Sequence, residues 1–306
     1  AILAPVAERG IPFAAVFGNH DDEGGVSKET QLAIYRSYPG CLMSAGPDDI
    51  TGCGNYNLLV WSSDGSRPVC NLWFLDSGTY GEKGVSKYAR VEQDQIDWYT
   101  STAAAIEEQY GEILPAYLFQ HIIVPEIYNL LTEVPASEKK ADGVVEGFSS
   151  RSGHYYKAAD GFFAGHLGEA PCPPDIPSGE FAAMRDTGDV VAAFFGHDHK
   201  NDFAGTYEGI DLVNTTSTGF YIYGDREYHG ARLIVLHENA PAEYETEMLY
   251  YKDLVSEPLP GGLTSVHGKY VENIVIAAVA GLLLLVGAGA YAGVRLSRRR
   301  KRGQKQ

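Results

Sequence analysis

An α/β fold is predicted by three features of the sequence. Short apolar runs bounded by glycine, proline and polar turns recur along the chain and read as buried strands. Helical periods lie between them. The clearest covers 92–110, where Ile96, Tyr99, Ala103, Ile106 and Tyr110 fall on one stripe at i, i+3, i+7, i+10 and i+14. Finally, three of the apolar runs end in groups able to bind metal, and α/β proteins place their ligand sites at the carboxyl ends of strands.

Those three runs organise the chain. Val190–Phe195 stops at Gly196-His197-Asp198-His199, where two imidazoles spaced i, i+2 can reach one point if the chain turns at the glycine. Phe13–Phe17 runs into Gly18-Asn19-His20-Asp21, and Ala116–Gln120 runs into His121. Convergence of the three ends is the economical reading.

The remaining elements follow in order. Residues 1–9 read as the end of a helix closed by Gly10. Ser27 is placed to cap a helix running to about Tyr38, where Pro39-Gly40 stops it, with Leu32, Tyr35 and Ile34 as its buried positions. Asn55–Trp61 and Asn71–Leu75 read as strands joined by a turn at 62–68, and Asp76-Ser77-Gly78 reads as a further turn. Gly111 closes the long helix. Residues 133–178 lack sustained periodicity and read as a long surface excursion. Ile210–Val213, Phe220–Tyr223, Ala231–Leu236 and Tyr244–Leu249 read as successive strands.

Charge is split unevenly along the 306 residues. Seven of the 24 Lys and Arg follow residue 294, and the last acidic residue is Glu272. Residues 1–272 therefore hold 17 basic against 40 acidic groups, a formal charge of −23. Such a surface repels nucleic acid, whose affinity comes mainly from Lys and Arg on phosphates. Between Ile274 and Val294 lie 21 residues without a charge, enough at roughly 1.5 Å per residue to span a bilayer core of about 30 Å. Arg298-Arg299-Arg300-Lys301-Arg302 follows. The positive-inside rule then puts the tail in the cytosol and the rest in the lumen or outside the cell, as a single-pass membrane protein. The expected organisation is a globular domain over 1–254, a stalk over 255–273, a transmembrane helix over 274–294 and a basic tail over 295–306. Cys41, Cys53, Cys70 and Cys172 would meet an oxidising compartment, which allows one or two disulfides in any of three full pairings. The chain opens without the charged start and cleavage site of a signal peptide, so an N-terminal part is expected to be missing. Oligomeric state leaves no mark on the sequence.

Asn19, His121, His197 and His199 make a mixed oxygen and nitrogen donor set suited to divalent transition metals. His20 adjoins Asn19 on a turn, where neighbouring side chains diverge, and is expected to face a substrate. His154, His166 and His267 read as solvated, and no partner is evident for His237. Taken with Glu8-Arg9-Gly10-Ile11-Pro12, Gly52-Cys53-Gly54-Asn55-Tyr56-Asn57, Asn71–Gly78, Ser178-Gly179-Glu180-Phe181 and the run from Gly196 to Phe203, these motifs resemble the calcineurin-like metallophosphoesterases. Their detail is similar to the purple acid phosphatase-like subgroup that includes the Dcr2-like phosphatases, over about residues 4–237.

The resemblance implies a four-layer α/β/β/α sandwich with the transmembrane helix appended. It implies a hydrolase acting on phosphorylated substrates through two divalent or trivalent metal ions of the Fe, Zn or Mn class. Asn19, His121 and His197 would hold one metal and His199 the other. His20 would stabilise the transferring phosphoryl group or protonate the leaving oxygen, while a metal-bound hydroxide attacks phosphorus in line. The family pattern also needs two earlier aspartates, and Glu8 is the sole acidic group in residues 1–18. A missing N-terminal part accounts for that. The alternative is a catalytically inactive ectodomain that keeps the fold as a binding module.

Overall fold

The computed structural model describes residues 3–159, 162–220, 222–257 and 259. Residues 3–218 and 224–256 belong to one compact unit, and the other described residues belong to a second. Among the described residues no helix is long and apolar enough to cross a membrane. The expected stalk, transmembrane helix and basic tail lie, from residue 260 on, outside the described residues.

Twelve strands and five α-helices are formed by the described residues. In chain order they are α1 (Ala4–Glu8), α2 (Lys28–Arg36), β1 (Tyr56–Trp61), β2 (Pro68–Phe74), α3 (Gln93–Tyr110), β3 (Ala116–Phe119), β4 (Leu131–Val134), β5 (Val145–Glu146), β6 (Tyr155–Ala158) and β7 (Phe162–Ala164). There follow α4 (Glu180–Thr187), β8 (Val190–Phe195), β9 (Ala204–Tyr207), β10 (Ile210–Asn214), β11 (Gly230–Leu236), β12 (Tyr244–Tyr250) and α5 (Tyr251–Leu254).

Seven strands make a mixed sheet in the order β1-β2-β3-β8-β10-β9-β7. Its centre, β2, β3, β8 and β10, is parallel, and antiparallel strands flank it on both sides. Side chains of a strand alternate between faces, and the alternation sorts the core into two layers. Trp73, Leu118, Ala193, Phe195 and Leu212 point one way and pack with Ile96, Tyr99 and Ala103 of α3 and Phe181 and Met184 of α4. Tyr117, Ala192, Phe194 and Val213 point the other way, toward Ile234, Leu236 and Tyr244 of the β11–β12 hairpin. Strand β11 of the hairpin alternates between more and less exposed positions along its whole length, as a strand with one wet face should. The architecture is thus a mixed α/β one, with α3 and α4 on one face of the main sheet and the β11–β12 hairpin and α2 on the other.

Several expectations are corrected. Phe13–Phe17 is extended but joins no ladder among the described residues; it is tied through a single parallel bridge, Phe13 with Cys41. The Tyr56 hydroxyl holds it further, donating to Ala15 O at 2.8 Å and accepting from Ala15 N at 3.2 Å. The 133–178 excursion carries structure of its own: β4, β6 and β5 form a three-stranded sheet, and β7 joins the main one. Ile34 is half exposed, because the apolar face of α2 narrows to Leu32 with Tyr35 beside it. Residues 220 and 222 are turn and bend rather than strand. All four cysteines are free thiols. His166 is half-buried, its ring stacked on Tyr228 at 4.2 Å, and His237 has a partner in Glu245 at 3.1 Å.

Helix α4, which lacked a periodic signal, carries a buried carboxyl. Glu180 lies at its first position with Oε1 unpaired, beside Gln120. Burial pushes it from 4.5 up to about 8, with the Glu126 charge adding to the effect and the Gln120 hydrogen bond opposing it. A carboxyl raised in the folded state stays protonated where the unfolded chain has ionised, so stability falls as pH rises between about 4.5 and 8. Urea titrations across that window are expected to show the parent losing up to about 4 kcal/mol more than Glu180→Gln, the other titrating groups being common to both. An identical slope in the variant would assign the pH dependence elsewhere.

Candidate metal centre

The main sheet brings two of the three strand ends together directly, because β3 and β8 are parallel neighbours. Each ends two residues before its histidine, so His121 and His197 emerge side by side at the carboxyl edge. Their ring centroids are 5.1 Å apart. His121 Nε2 lies 3.2 Å from His197 Nδ1 and 2.9 Å from Asn19 Oδ1. Three donor atoms on three separate segments therefore meet at one point.

Local hydrogen bonds shape each turn. Asp21 closes the first: its Oδ2 accepts from Gly18 N at 2.6 Å, and Asp21 N donates to Gly18 O at 3.3 Å. A Cβ on Gly18 would sit 3.1 Å from the His121 ring, a tight contact, so a larger residue there would press on the imidazole. The second turn is braced by Ser77 Oγ, which accepts from Ile122 N at 2.9 Å, and by Gln120 Nε2, which donates to Ile122 O at 2.8 Å. In the third, buried Asp198 accepts from Cys172 N at 3.0 Å and from Asn201 Nδ2 at 3.4 Å. Burial and the Glu169 charge raise its carboxyl to about 7. His199 is buried, with its carbonyl oxygen accepting from Thr216 Oγ1 at 2.7 Å and Ser217 N at 3.2 Å.

Asn19 is buried whereas its neighbour His20 is exposed. His20 Nδ1 lies 3.0 Å from Glu23 Oε2, and the Tyr80 hydroxyl donates to Glu23 Oε1 at 2.7 Å. A short chain of polar groups thus holds the imidazole at the rim. Tyr88, unremarked in the sequence, packs edge-on against His197 at 4.3 Å.

The donor set fits a metal ion. Burial, followed by the charges of His199, His20 and Lys28, lowers His121 to about 4. Burial and the charges of His121, His199 and His20 lower His197 to about 2. Both imidazoles are consequently neutral near pH 7 and present lone pairs, as metal ligands must. His197 Nε2 is buried without a hydrogen-bond partner. Two neutral imidazoles with an amide oxygen suit a borderline divalent metal. Among the described residues no cluster of three or more His, Cys, Asp or Glu is arranged as a metal site, because the third donor here is an amide and no carboxylate joins it. His199 and His20 stand close enough for their charges to oppose protonation of the pair, while the meeting at one point is made by Asn19, His121 and His197.

Asp76 is the residue whose role the sequence reading missed. It is buried at the end of β2 and accepts from Lys28 Nζ at 2.8 and 2.9 Å, from Cys53 N at 2.9 Å and from Gly78 N at 3.0 Å. Its signal was present: an acidic residue directly after an apolar strand is rarely left without a partner.

No family model and no solved structure matches the chain. Curated relatives do. The chain is 31% identical over 242 residues to probable inactive purple acid phosphatase 14 of Arabidopsis thaliana, covering 72% of this chain and 53% of that protein. It is 28% identical over 257 residues to probable inactive purple acid phosphatase 29 of the same plant, covering 78% and 59%. Phosphatase DCR2 of Saccharomyces cerevisiae is 28% identical over 213 residues, covering 66% and 32%. The chain spans little more than half the length of the plant relatives and about a third of the yeast one. The homologues of the chain are therefore purple acid phosphatase-like proteins and the Dcr2 phosphatase, consistent with the purple acid phosphatase-like branch of the calcineurin-like metallophosphoesterases.

Proposed function

We propose that this protein is a metal-dependent phosphoesterase that hydrolyses phosphate esters at a two-metal site. The observation that carries the reading is the meeting of Asn19 Oδ1, His121 Nε2 and His197 Nδ1 within hydrogen-bond distance, at the carboxyl edge of a mixed sheet. These three would hold one metal ion, of the Fe, Zn or Mn class, and His199 would contribute to a second. Bound metal supplies charge for the phosphoryl oxygens and an activated water. The chain's own part is to orient and to move protons. His20, held by Glu23 and Tyr80 at the rim, faces the leaving oxygen and stabilises or protonates it. Asp21 closes the first turn, in which Asn19 is buried and His20 is exposed.

The same reading gives the complete domain a four-layer α/β/β/α form in which the β11–β12 hairpin belongs to the second sheet. It also places 274–294 across a membrane with the catalytic domain lumenal or extracellular, supported by 21 uncharged residues ahead of a basic run. A second reading, an inactive ectodomain that binds without turnover, is favoured by the words "probable inactive" in the names of the plant relatives.

The deciding experiment takes the full-length protein, strips it with a chelator and adds back Zn²⁺, Mn²⁺ or Fe³⁺ singly and in pairs. Hydrolysis of phenyl phosphate that is lost on chelation and restored by metal is the expected result. Metal retention without turnover in every combination would favour the binding module.

A further inference from the structure

The rim of the site carries a basic groove that hydrolysis as described leaves unused. Residues 78–90 leave the end of β2 and fold back on themselves. Tyr80 pairs with Tyr88 through an isolated antiparallel bridge, and Gly81 N donates to Lys87 O at 3.2 Å. A Cβ on Gly81 would lie 2.6 Å from both Ser86 O and Tyr88 O, so the two arms of this loop are in close contact. One side of the loop faces the metal ligands, with Tyr88 against His197 and Tyr80 edge-on to His20 at 6.3 Å. Its other side lines an open groove of about 640 Å³, shared with Ser149, Ser150 and Asp175.

Two lysines, Lys83 and Lys87, line that groove in a chain dominated by acidic residues. The Lys87 ammonium sits 5.7 Å from the centre of the Tyr80 ring, and that ring is 6.3 Å from His20, which bounds the ammonium-to-imidazole distance at about 12 Å. Among the described residues neither lysine is in an ion pair; the lysines so engaged are Lys28 and Lys252. The groove's own carboxylate is occupied: Asp175 accepts from Lys87 N at 2.9 Å, Ser149 Oγ at 2.8 Å and Ser150 N at 3.1 Å, bracing the loop against the 149–150 turn. Glu23 is likewise committed to Tyr80 and His20. Two ammonium groups are left at the mouth of a concave surface, where their field draws an anion.

We propose that this groove is a subsite for a second anionic group on the substrate, so that the preferred substrates are phosphate monoesters whose leaving group carries a further negative charge within reach of the Lys87 ammonium, itself at most about 12 Å from the His20 imidazole. The proposal rests on the hydrolytic reading above. A phosphate held by the strand-end ligands with its leaving oxygen at His20 directs the leaving group across Tyr80 and into the groove.

The test uses full-length metal-loaded protein and a rigid substrate pair, biphenyl-4-yl phosphate and its 4′-carboxylate. The carboxylate is expected to have a kcat/KM about 10-fold higher at low salt, an advantage that shrinks in about 0.5 M NaCl because the lysines are solvent-exposed. In the double variant Lys83→Ser/Lys87→Ser the ratio between the two substrates is expected to fall to about one, with the circular dichroism spectrum unchanged. Equal kcat/KM on the two substrates in the parent protein, or a preference that survives in the double variant, overturns the subsite and leaves hydrolysis standing. Hydrolysis of neither substrate overturns the phosphoesterase reading itself.

Discussion

Replacing His197 by alanine in the full-length protein is expected to lower kcat/KM for phenyl phosphate by at least about 10³-fold and to release bound metal. His197 is buried, and its Nδ1 lies 3.2 Å from His121 Nε2, so it supplies one of three convergent donors. No carboxylate among the described residues stands ready to replace it. The loss should be chemical rather than structural. His197 sits past the end of β8, and its ring packs on Tyr88 instead of in the sheet core. Elemental analysis and circular dichroism on the same sample separate the two effects: metal content falls while secondary structure stays. His154→Ala is the matched control, since that histidine is exposed and, among the described residues, its side chain pairs with Glu133 at 2.7 Å. Turnover and metal content at parent levels in His197→Ala would refute the metal assignment.

The parts of this site that could be read from sequence are those that depend on strand ends. An apolar run of fixed period stops at a defined residue, and the polar group that follows must sit at the sheet edge. Asn19, His121 and His197 could be found that way because each follows its run within a residue or two. The long helix was equally plain, since Glu92 and Gln95 form a capping box at one end and Gly111 takes a left-handed φ of 76° at the other. What escaped depends on contacts between distant segments. Lys28 stands in the first turn of α2, and nothing nearby in sequence announces the carboxylate 48 residues on. Asp76-Ser77-Gly78 had the composition of a turn, yet Asp76 is buried and Ser77 braces the turn after His121. The excursion over 133–178 gave no period because its strands are two to four residues long, too short for alternation to register. Tyr88 and Phe148, stacked at 5.7 Å beside His197, lie on two loops whose approach no local pattern encodes.

That hidden pair of Lys28 and Asp76 gives the largest expected effect on stability. Lys28 is the first residue of α2, where a cation opposes the helix dipole and is ordinarily disfavoured. It is tolerated because both oxygens of Asp76 lie 2.8 and 2.9 Å from its ammonium in a buried setting. Removing one partner leaves an uncompensated buried charge, so Lys28→Met and Asp76→Asn are each expected to destabilise the protein by about 3–5 kcal/mol in urea titrations. The double variant Lys28→Met/Asp76→Asn should recover more than half of that loss. No charge is left behind, and the amide oxygen that replaces the carboxylate can still accept from one of the two backbone donors, Cys53 N or Gly78 N. Single variants within about 1 kcal/mol of the parent would show that water reaches the pair. The consequence extends to the metal centre. Helix α2 carries Gln31, whose Nε2 donates to Asp21 O at 2.7 Å and to Val26 O at 2.9 Å, so the helix buttresses the turn bearing Asn19 and His20. If Lys28 anchors that helix, Lys28→Met weakens metal binding at temperatures well below its unfolding midpoint, and the double variant restores affinity together with stability. Affinity that stays at the parent value in a destabilised Lys28→Met protein would mean that the turn holds its shape without the helix, through the bond from Gly18 N to Asp21 alone.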